Sequence, residues 1–234
     1  MADRLQQPIH QNQIPMPSLP SSLFNESSEP SIEPLIEGVT LLRAFCRNEA
    51  PRLLDSIATV ANASPFRQMV VPSGHIMSVA MTNCGDLGWT TDRTGYRYTM
   101  HDPATGKMWP SMPAVLLNLA QRAAATAGFP NFTPNACLIN QYAIGARLSL
   151  HQDKNEQDYT HPIVSVSLGL PAIFLLGTLR RSDTPRRIRI EHGDILAWGG
   201  PSRLIYHGVT PIAAGEHPLT GPFRINITFR RVLI

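Results

Sequence analysis

The segment Phe223-Arg224-Ile225-Asn226-Ile227-Thr228-Phe229-Arg230 near the end of the chain decides the fold. Apolar and polar residues alternate in it, so in a β-strand the two kinds of side chain lie on opposite faces. One face would pack on a core, while the other carries two guanidinium groups and an amide. An edge strand with a solvated basic face would show the same pattern. A concave polar face would instead bind a dianion, because arginine presents a planar fork that matches a carboxylate.

The rest of the chain supports a mainly β fold with flanking helices. Two segments before residue 130 have apolar residues at helical spacing, one opened by Asn48 as a candidate N-cap and one closed by Gly128. Short strand patterns bounded by Pro and Gly follow them. A jelly-roll core, that is, a double-stranded β-helix, accommodates so many strands with few exposed edges. The predicted strands before the last one span 136–142, 147–151, 162–169, 172–177, 187–191, 195–198 and 203–206.

The chain divides into a leader at 1–34 and one domain at 35–234. The leader contains six Pro, six Ser and four Gln, a composition that predicts disorder. It has one basic and four acidic residues, so removing its charge of −3 from the total of +3 leaves +6 on the domain. A basic domain suits a polyanionic partner such as nucleic acid. Arg outnumbers Lys 18 to 2, however, and that skew can equally reflect the base composition of the gene.

Cysteine usage and hydropathy indicate the compartment. Cys46, Cys84 and Cys137 are widely spaced, without a CxxC pair or a secretory signal, so we expect no disulfide. No apolar stretch approaches the roughly 20 residues of a membrane-spanning helix. The sequence therefore predicts a cytoplasmic protein that does not enter a membrane.

A metal-binding pattern occurs at His151-Gln-Asp153, which ends a predicted strand. With His207 it supplies two imidazoles and one carboxylate, the ligand set of non-haem iron(II) oxygenases. The same ligands could serve a zinc hydrolase. A second copy, His192-Gly-Asp194, lies between two strand patterns, and its Gly-Asp pair predicts a hairpin turn with a structural role.

Two further groups are candidates for ligand binding. Asn140 and Tyr142 share one face of a predicted strand and could donate to the same anion as the last strand. The aromatic and basic stretch from Trp89 to Tyr98 suits an unpaired or flipped nucleotide, although a Gly-rich loop with core aromatics is an equal alternative. Five arginines between Arg180 and Arg189 form a basic run that could also be a solvated loop.

Long contiguous runs resemble the bacterial AlkB family over roughly residues 35 to 231. The resemblance implies a jelly-roll dioxygenase that uses Fe(II), 2-oxoglutarate and O2. It implies oxidative dealkylation of N-alkylated bases, such as 1-methyladenine and 3-methylcytosine, in DNA, with a preference for single strands. A monomer is the default expectation for the oligomeric state. Succinate, CO2 and an aldehyde would be released. The similar runs are Ser64-Pro-Phe-Arg-Gln-Met69, Met77-Ser-Val-Ala-Met-Thr-Asn-Cys-Gly85, Gly88-Trp-Thr-Thr91, Leu148-Ser-Leu-His-Gln-Asp-Lys154, Pro162-Ile-Val-Ser-Val-Ser-Leu-Gly-Leu-Pro-Ala-Ile-Phe174 and Glu191-His-Gly-Asp194.

The resemblance also implies a role for individual residues. Iron would be held by His151, Asp153 and His207, which makes the first His-x-Asp copy the metal site. The residues implied for 2-oxoglutarate are Asn140, Tyr142, Arg224, Asn226 and Arg230, with Arg224 on the distal carboxylate. Those implied for the substrate nucleotide are Trp89, Tyr96, Tyr98, Asn155 and Arg181, with Trp89 and His151 stacking on the extruded base.

One position departs from the family pattern. The family has a second aspartate two residues after the iron-binding one, and here that position is Asn155. An amide lacks the charge that favours a cationic alkylated base, so we expect retained chemistry with altered base preference. Two other functions stay open: an AlkB-like dioxygenase acting on RNA or tRNA bases, and a non-catalytic jelly-roll binding module.

Overall fold

Two antiparallel sheets, a hairpin and two α-helices make up the residues that the computed structural model describes, 29–233. The helices are α1 (Ala50–Ala63) and α2 (Ala114–Thr126). The strands are β1 (Ser31–Ile36), β2 (Val39–Arg43), β3 (Arg67–Val70), β4 (Ile76–Gly85), β5 (Gly88–Asp92), β6 (Gly95–Thr99), β7 (Ala136–Tyr142), β8 (Leu148–His151), β9 (Ile163–Gly169), β10 (Ala172–Leu176), β11 (Arg186–Ile190), β12 (Ile195–Trp198), β13 (His207–Val209) and β14 (Arg224–Arg230).

The strands form two facing layers. The larger sheet has the order β1-β2-β12-β9-β14-β7-β4-β3 and the smaller one the order β11-β10-β13-β8, while β5 and β6 form a separate hairpin. Consecutive strands β8 to β13 alternate between the two sheets, apart from the β10–β11 hairpin, as in a jelly roll. The predicted mainly β, jelly-roll class with flanking helices is confirmed.

Strand β14 lies in the middle of the larger sheet, paired with β7 on one side and β9 on the other. All seven of its residues are buried, so the alternative of a solvated edge strand is wrong. Ile225, Ile227 and Phe229 belong to the core cluster that includes both helices. The polar residues of the opposite face line a cavity between the two sheets. The strand thus separates a structural face from a ligand-binding face.

Both helices cover the outer face of the larger sheet. Leu53 and Ile57 of α1 and Leu116 and Leu119 of α2 are buried in the same cluster as β14. Asn48 is not the N-cap of α1, because the chain enters that helix through the 3₁₀ turn Arg47–Glu49 and Glu49 takes the cap position. Gly128 follows α2 with a φ of 90°, a conformation that favours glycine after a helix.

Several predicted elements differ from the structure. Residues 203–206 are not a strand: Arg203 and Ile205 close turns onto Gly200 and Ser202, and the strand here is β13. The segment 192–194 is not a hairpin turn, because β11 pairs with β10 whereas β12 pairs with β2 and β9. It instead carries the chain from the smaller sheet to the larger one.

The start of the domain is also earlier than the division at residue 35. Strand β1 includes residues 31–34 and pairs with β2 from Ser31 opposite Arg43. Most of the predicted leader, residues 1–28, lies outside the described residues, so its disorder stays a prediction. Cys46, Cys84 and Cys137 are buried free thiols. Within 29–233, no helix has the length and apolar character needed to cross a membrane.

Candidate active site

A cavity of about 860 Å³ lies between the two sheets. Its floor includes the polar face of β14 and the neighbouring side chains of β7, and its wall includes the facing ends of β8 and β13. Because these strands belong to both layers of the core, polar groups from distant parts of the sequence converge there. Concave sites with a few converging polar groups are typical of ligand binding.

His151, Asp153 and His207 come together at one end of this cavity. His151 lies opposite His207 in the β8–β13 pair, which places the two rings 4.4 Å apart. Asp153 follows β8 by two residues, with its carboxylate oxygens 3.7 Å from His151 Nε2 and 3.8 Å from His207 Nε2. One ligand atom from each residue lies within 4.8 Å of the others, close enough to share a metal ion.

The two imidazoles are oriented for metal binding. His151 Nδ1 lies 2.8 Å from the carbonyl oxygen of Ser149, and His207 Nδ1 lies 3.1 Å from that of Ile205. A carbonyl only accepts hydrogen bonds, so each Nδ1 donates, and each Nε2 is left as the lone-pair atom. Burial lowers the pKa of His207 to about 3, so its ring is neutral and able to bind a metal.

Packing holds the ring of His207 in place. The ring of Phe174 stacks on it at 5.9 Å, and the indole of Trp198 meets it edge-on at 4.9 Å. His207 itself is only 6% exposed. Its ring therefore has little freedom to turn away from the carboxylate of Asp153.

Asp153 is ionised in this environment. Burial alone raises the pKa of a carboxyl group, but Arg230 and the two histidines lower that of Asp153 well below its usual range. Arg230 donates from Nη2 and Nε to Asp153 Oδ2, at 2.5 and 3.0 Å. The guanidinium of Arg230 therefore orients the carboxylate, in addition to the contact with 2-oxoglutarate that the resemblance implies.

Arg224 is the residue best placed to hold an anionic ligand. It is 1% exposed, and its Nη2 donates to Ser167 Oγ at 3.1 Å, while its guanidinium lies 4.9 Å from the centre of the Tyr142 ring. Its Nε and Nη1 are buried without a hydrogen-bond partner in the described part of the chain. A buried cation with unsatisfied donors is costly, and a bound carboxylate would accept a charge-assisted hydrogen bond from it.

The two asparagines lie beside it on the floor of the cavity. Asn140 and Asn226 are register partners on β7 and β14, and the amide of Asn140 donates to Asn226 Oδ1 at 3.2 Å. Asn226 in turn donates to Ser165 Oγ and to the carbonyl oxygen of Val166. The side-chain oxygen of Asn140 has no partner among residues 29–233. These amides form a fixed polar surface with spare hydrogen-bonding capacity.

Four of the five predicted substrate residues line the same cavity: Trp89, Tyr96, Asn155 and Arg181. Trp89 and Tyr96, on β5 and β6, stack at 5.8 Å and face it from the hairpin. The stretch from Trp89 to Tyr98 therefore forms a β-hairpin, and the alternative of a Gly-rich loop is wrong. Tyr98 is not in the lining; its hydroxyl donates to Glu156 at 2.6 Å.

Sequence reasoning missed three residues that support the site: Gln152, Glu156 and Arg203. Glu156 and Arg203 are buried and form an ion pair at 3.2 Å, close to Asp153. Glu156 lies in a segment without regular structure, and the residues around Arg203 were predicted to form a strand. Strand alternation therefore could not identify them. Only their closeness in sequence to Asp153 and His207 was a signal.

Comparisons with known proteins agree with this geometry. The model of the 2OG-Fe(II) oxygenase superfamily matches residues 38–230. The chain belongs to this superfamily. It is 60% identical over 204 residues to the alpha-ketoglutarate-dependent dioxygenase AlkB of Escherichia coli, covering 87% of this chain and 94% of that protein. The AlkB homolog of Caulobacter vibrioides is 43% identical over 76% of this chain and 80% of its own length.

A solved structure supports the same assignment. The structure of OsALKBH1 superposes with a TM-score of 0.75 at 29% identity, covering 86% of this chain and all of that one. The predicted resemblance to AlkB is thus confirmed, as are the dioxygenase class and the use of Fe(II) and 2-oxoglutarate. In this AlkB-type oxygenase, the donor set of His151, Asp153 and His207 fits iron(II), and the unsatisfied nitrogens of Arg224 fit a carboxylate.

Proposed function

We propose that this protein removes alkyl groups oxidatively from N-alkylated bases in DNA, with a preference for single strands. The observation that carries the proposal is one cavity that contains an iron-type ligand triad, a buried arginine with two unsatisfied donors and a stacked aromatic pair. The first two suit Fe(II) and 2-oxoglutarate, and the third suits a base taken out of its strand.

The cofactor residues have distinct tasks in this proposal. His151 and His207 bind iron through Nε2, and Asp153 binds it through a carboxylate oxygen. Arg224 binds the distal carboxylate of 2-oxoglutarate, and Asn140, Tyr142, Asn226 and Arg230 complete the floor on which the co-substrate lies. When bound, iron and 2-oxoglutarate activate O2 to oxidise the alkyl carbon, and the hydroxylated group then leaves as an aldehyde.

The remaining residues position the nucleotide. Trp89 and Tyr96 offer aromatic surface for stacking, on the hairpin side of the cavity. Tyr98 supports this hairpin through its hydrogen bond to Glu156 rather than from the cavity lining. Asn155 presents an amide to the base, and Arg181 can contact a phosphate. Holding the alkyl carbon near the iron is the main contribution of such residues to the rate.

Charge around the cavity favours a polyanionic substrate. Arg147, Lys154 and Arg181 are exposed cations in its lining, whereas Asp153 is the single carboxylate there among the described residues. Phosphates that flank an extruded base would meet this positive rim. Extruding a base requires less free energy in a single strand than in a duplex, where the base must also be unpaired. We expect the protein to act as a cytoplasmic monomer.

The test is a dealkylation assay with the full chain. The protein is loaded with Fe(II) and 2-oxoglutarate without oxygen, and is then exposed to O2 with a single-stranded DNA oligonucleotide that contains 1-methyladenine or 3-methylcytosine. Loss of one methyl mass in the wild type, abolished by His151→Ala, is the expected result.

Other outcomes discriminate between the alternatives. Turnover of methylated RNA in place of DNA would favour the RNA or tRNA dioxygenase. Consumption of 2-oxoglutarate with every oligonucleotide left intact would contradict the substrate assignment. A chain that binds iron and consumes no 2-oxoglutarate would favour a binding module, which the presence of all three ligands and Arg224 argues against.

A further inference from the structure

Arg203 is buried, 3% exposed, outside the lining of the cavity. Its Nη1 donates to the main-chain carbonyl oxygen of Asp153 at 2.8 Å, and its Nε donates to that of His161 at 3.0 Å. Its Nη2 donates to Glu156 Oε2 at 3.2 Å, and the ring of Tyr159 lies 5.5 Å from its guanidinium carbon. One side chain therefore contacts most of the segment that carries Asp153.

That segment has no regular secondary structure of its own. Between β8 and β9 the chain forms no helix or strand, so Asp153 is not held by a ladder of main-chain hydrogen bonds. Irregular segments of this kind are the parts of a fold that open most readily. The position of the carboxylate must then depend on side chains that tie the segment to its surroundings.

Arg203 connects it to the segment that leads to His207, the buried ligand of the three. Arg203 follows the 3₁₀ turn Gly200–Ser202 and precedes Ile205, whose carbonyl oxygen orients the ring of His207. Gln152 makes a second tie in the reverse direction, donating from Nε2 to the carbonyl oxygen of Leu204 at 2.6 Å. The two segments thus exchange side-chain-to-main-chain hydrogen bonds next to both ligands.

We propose that Arg203 is a positioning residue for the metal centre, which sets metal affinity by fixing Asp153 relative to His207. The inference rests on the proposed function only in requiring the metal site. A guanidinium suits the task because its rigid fork donates to three acceptors at once, which a lysine ammonium on a flexible stem reproduces poorly.

The charge balance around Arg203 agrees with this role. Glu156 neutralises it, accepts a hydrogen bond from Tyr98 through Oε1 and lies 3.5 Å from Arg230, which in turn holds Asp153. Asp153 is therefore fixed twice, at its main chain by Arg203 and at its side chain by Arg230. Groups that orient metal ligands typically change metal affinity about 10- to 100-fold when removed.

The test measures Mn²⁺ binding to the metal-free full chain by titration calorimetry, without turnover. Arg203→Gln should weaken Mn²⁺ binding about 10-fold or more, and Arg203→Lys should recover part of the loss because it retains the charge beside Glu156. Arg67→Gln is the matched control, since it breaks an ion pair with buried Asp102 away from the cavity. It should lower the melting temperature and leave Mn²⁺ affinity unchanged.

Gln152→Leu keeps the inference testable if Arg203→Gln does not fold. Gln152→Leu removes only the hydrogen bond from Gln152 to the carbonyl oxygen of Leu204. This variant and Arg203→Lys, each made singly, should weaken Mn²⁺ binding while the far-UV circular dichroism spectrum stays native. Unchanged Mn²⁺ affinity in a folded Arg203 variant, with only a lower melting temperature, would overturn the inference and leave the proposed function intact. Failure of the unaltered chain to bind Mn²⁺ would overturn the metal site itself.

Discussion

At the residue scale, Arg224 carries the assignment of the co-substrate. Its buried Nε and Nη1 have no partner in the described residues, and a carboxylate is the anion that best accepts hydrogen bonds from a buried guanidinium. Arg224→Lys should raise KM for 2-oxoglutarate about 10- to 100-fold, because hydrogen bonds to charged groups contribute roughly 1.5–3 kcal/mol each. Steady-state kinetics with varied 2-oxoglutarate concentration measure this KM.

The matched control is Arg147→Lys. Arg147 lines the same cavity, but it is exposed, whereas Arg224 is buried in β14. We expect it to leave KM for 2-oxoglutarate unchanged. An equal KM in the Arg224 and Arg147 variants would show that the co-substrate binds elsewhere.

The second prediction at the residue scale concerns Asn155 and the preference for particular alkylated bases. Asn155→Asp adds a negative charge to the cavity lining, which should favour bases that are cationic when alkylated. Turnover of 1-methyladenine and 3-methylcytosine should rise relative to that of 1-methylguanine and 3-methylthymine, measured by mass spectrometry of matched oligonucleotides. Asn155→Ser, which adds no charge, is the control. The same substrate ratio in wild type and Asn155→Asp would refute a role of Asn155 in base selection.

At the element scale, one face of β14 should contribute to the stability of the fold and the other face to ligand binding. Ile227 is fully buried under the helices, one residue from Asn226 on the floor of the cavity. Ile227→Ala should lower the free energy of unfolding by about 2–5 kcal/mol, because it leaves a cavity in the core. Denaturant titration measures this loss, and KM for 2-oxoglutarate should stay at the wild-type value. A tenfold rise in that KM would contradict the separation.

The turn between β11 and β12 predicts a pH dependence of stability. Burial, with His217 and Arg47 nearby, lowers the pKa of His192 from its ordinary 6.5 to about 4. Between these values the unfolded chain binds a proton that the folded chain does not. The stabilisation is therefore complete above about pH 6.5 and is lost as the pH falls toward about 4.

A variant isolates this contribution. Nδ1 of His192 accepts a hydrogen bond from the main-chain N–H of Gly169 at 3.0 Å. His192→Asn retains an acceptor and cannot titrate, so the free energy of unfolding should fall less steeply from about pH 7 to about pH 4.5 than in the wild type. Urea titrations across this range measure it, and parallel curves for the two proteins would exclude His192 as the group responsible.

The elements also show what sequence could predict. Strong period-two alternation located β14 almost to the residue, because it has one apolar and one polar face. The β5–β6 hairpin was not recognised, since its aromatic residues do not share one environment: Trp89 and Tyr96 line the cavity, whereas Tyr98 packs against Leu87, Ala136 and Val232. The segment 203–206 has an apolar pattern but follows turn hydrogen bonds, which the pattern does not encode.

At the scale of the whole molecule, the site is a product of topology. The His-x-Asp pair of β8 meets His207 only because β13 pairs with β8 in the smaller sheet, and both face β14 of the larger sheet across the cavity. Sequence patterns alone could not choose between His151-Gln-Asp153 and His192-Gly-Asp194. The structure places the second pair in a turn, where Asp194 accepts from Arg43 and from the main chain of Ala44.

The central claim is that this one cavity couples 2-oxoglutarate oxidation to dealkylation of a base. The most direct measurement is the stoichiometry of a single turnover, with succinate and demethylated oligonucleotide quantified from the same sample of Fe(II)-loaded protein. The account predicts one succinate per methyl group lost in the wild type and neither product in Asp153→Ala. Succinate formed at the same rate with and without methylated oligonucleotide, and no demethylated strand, would contradict it.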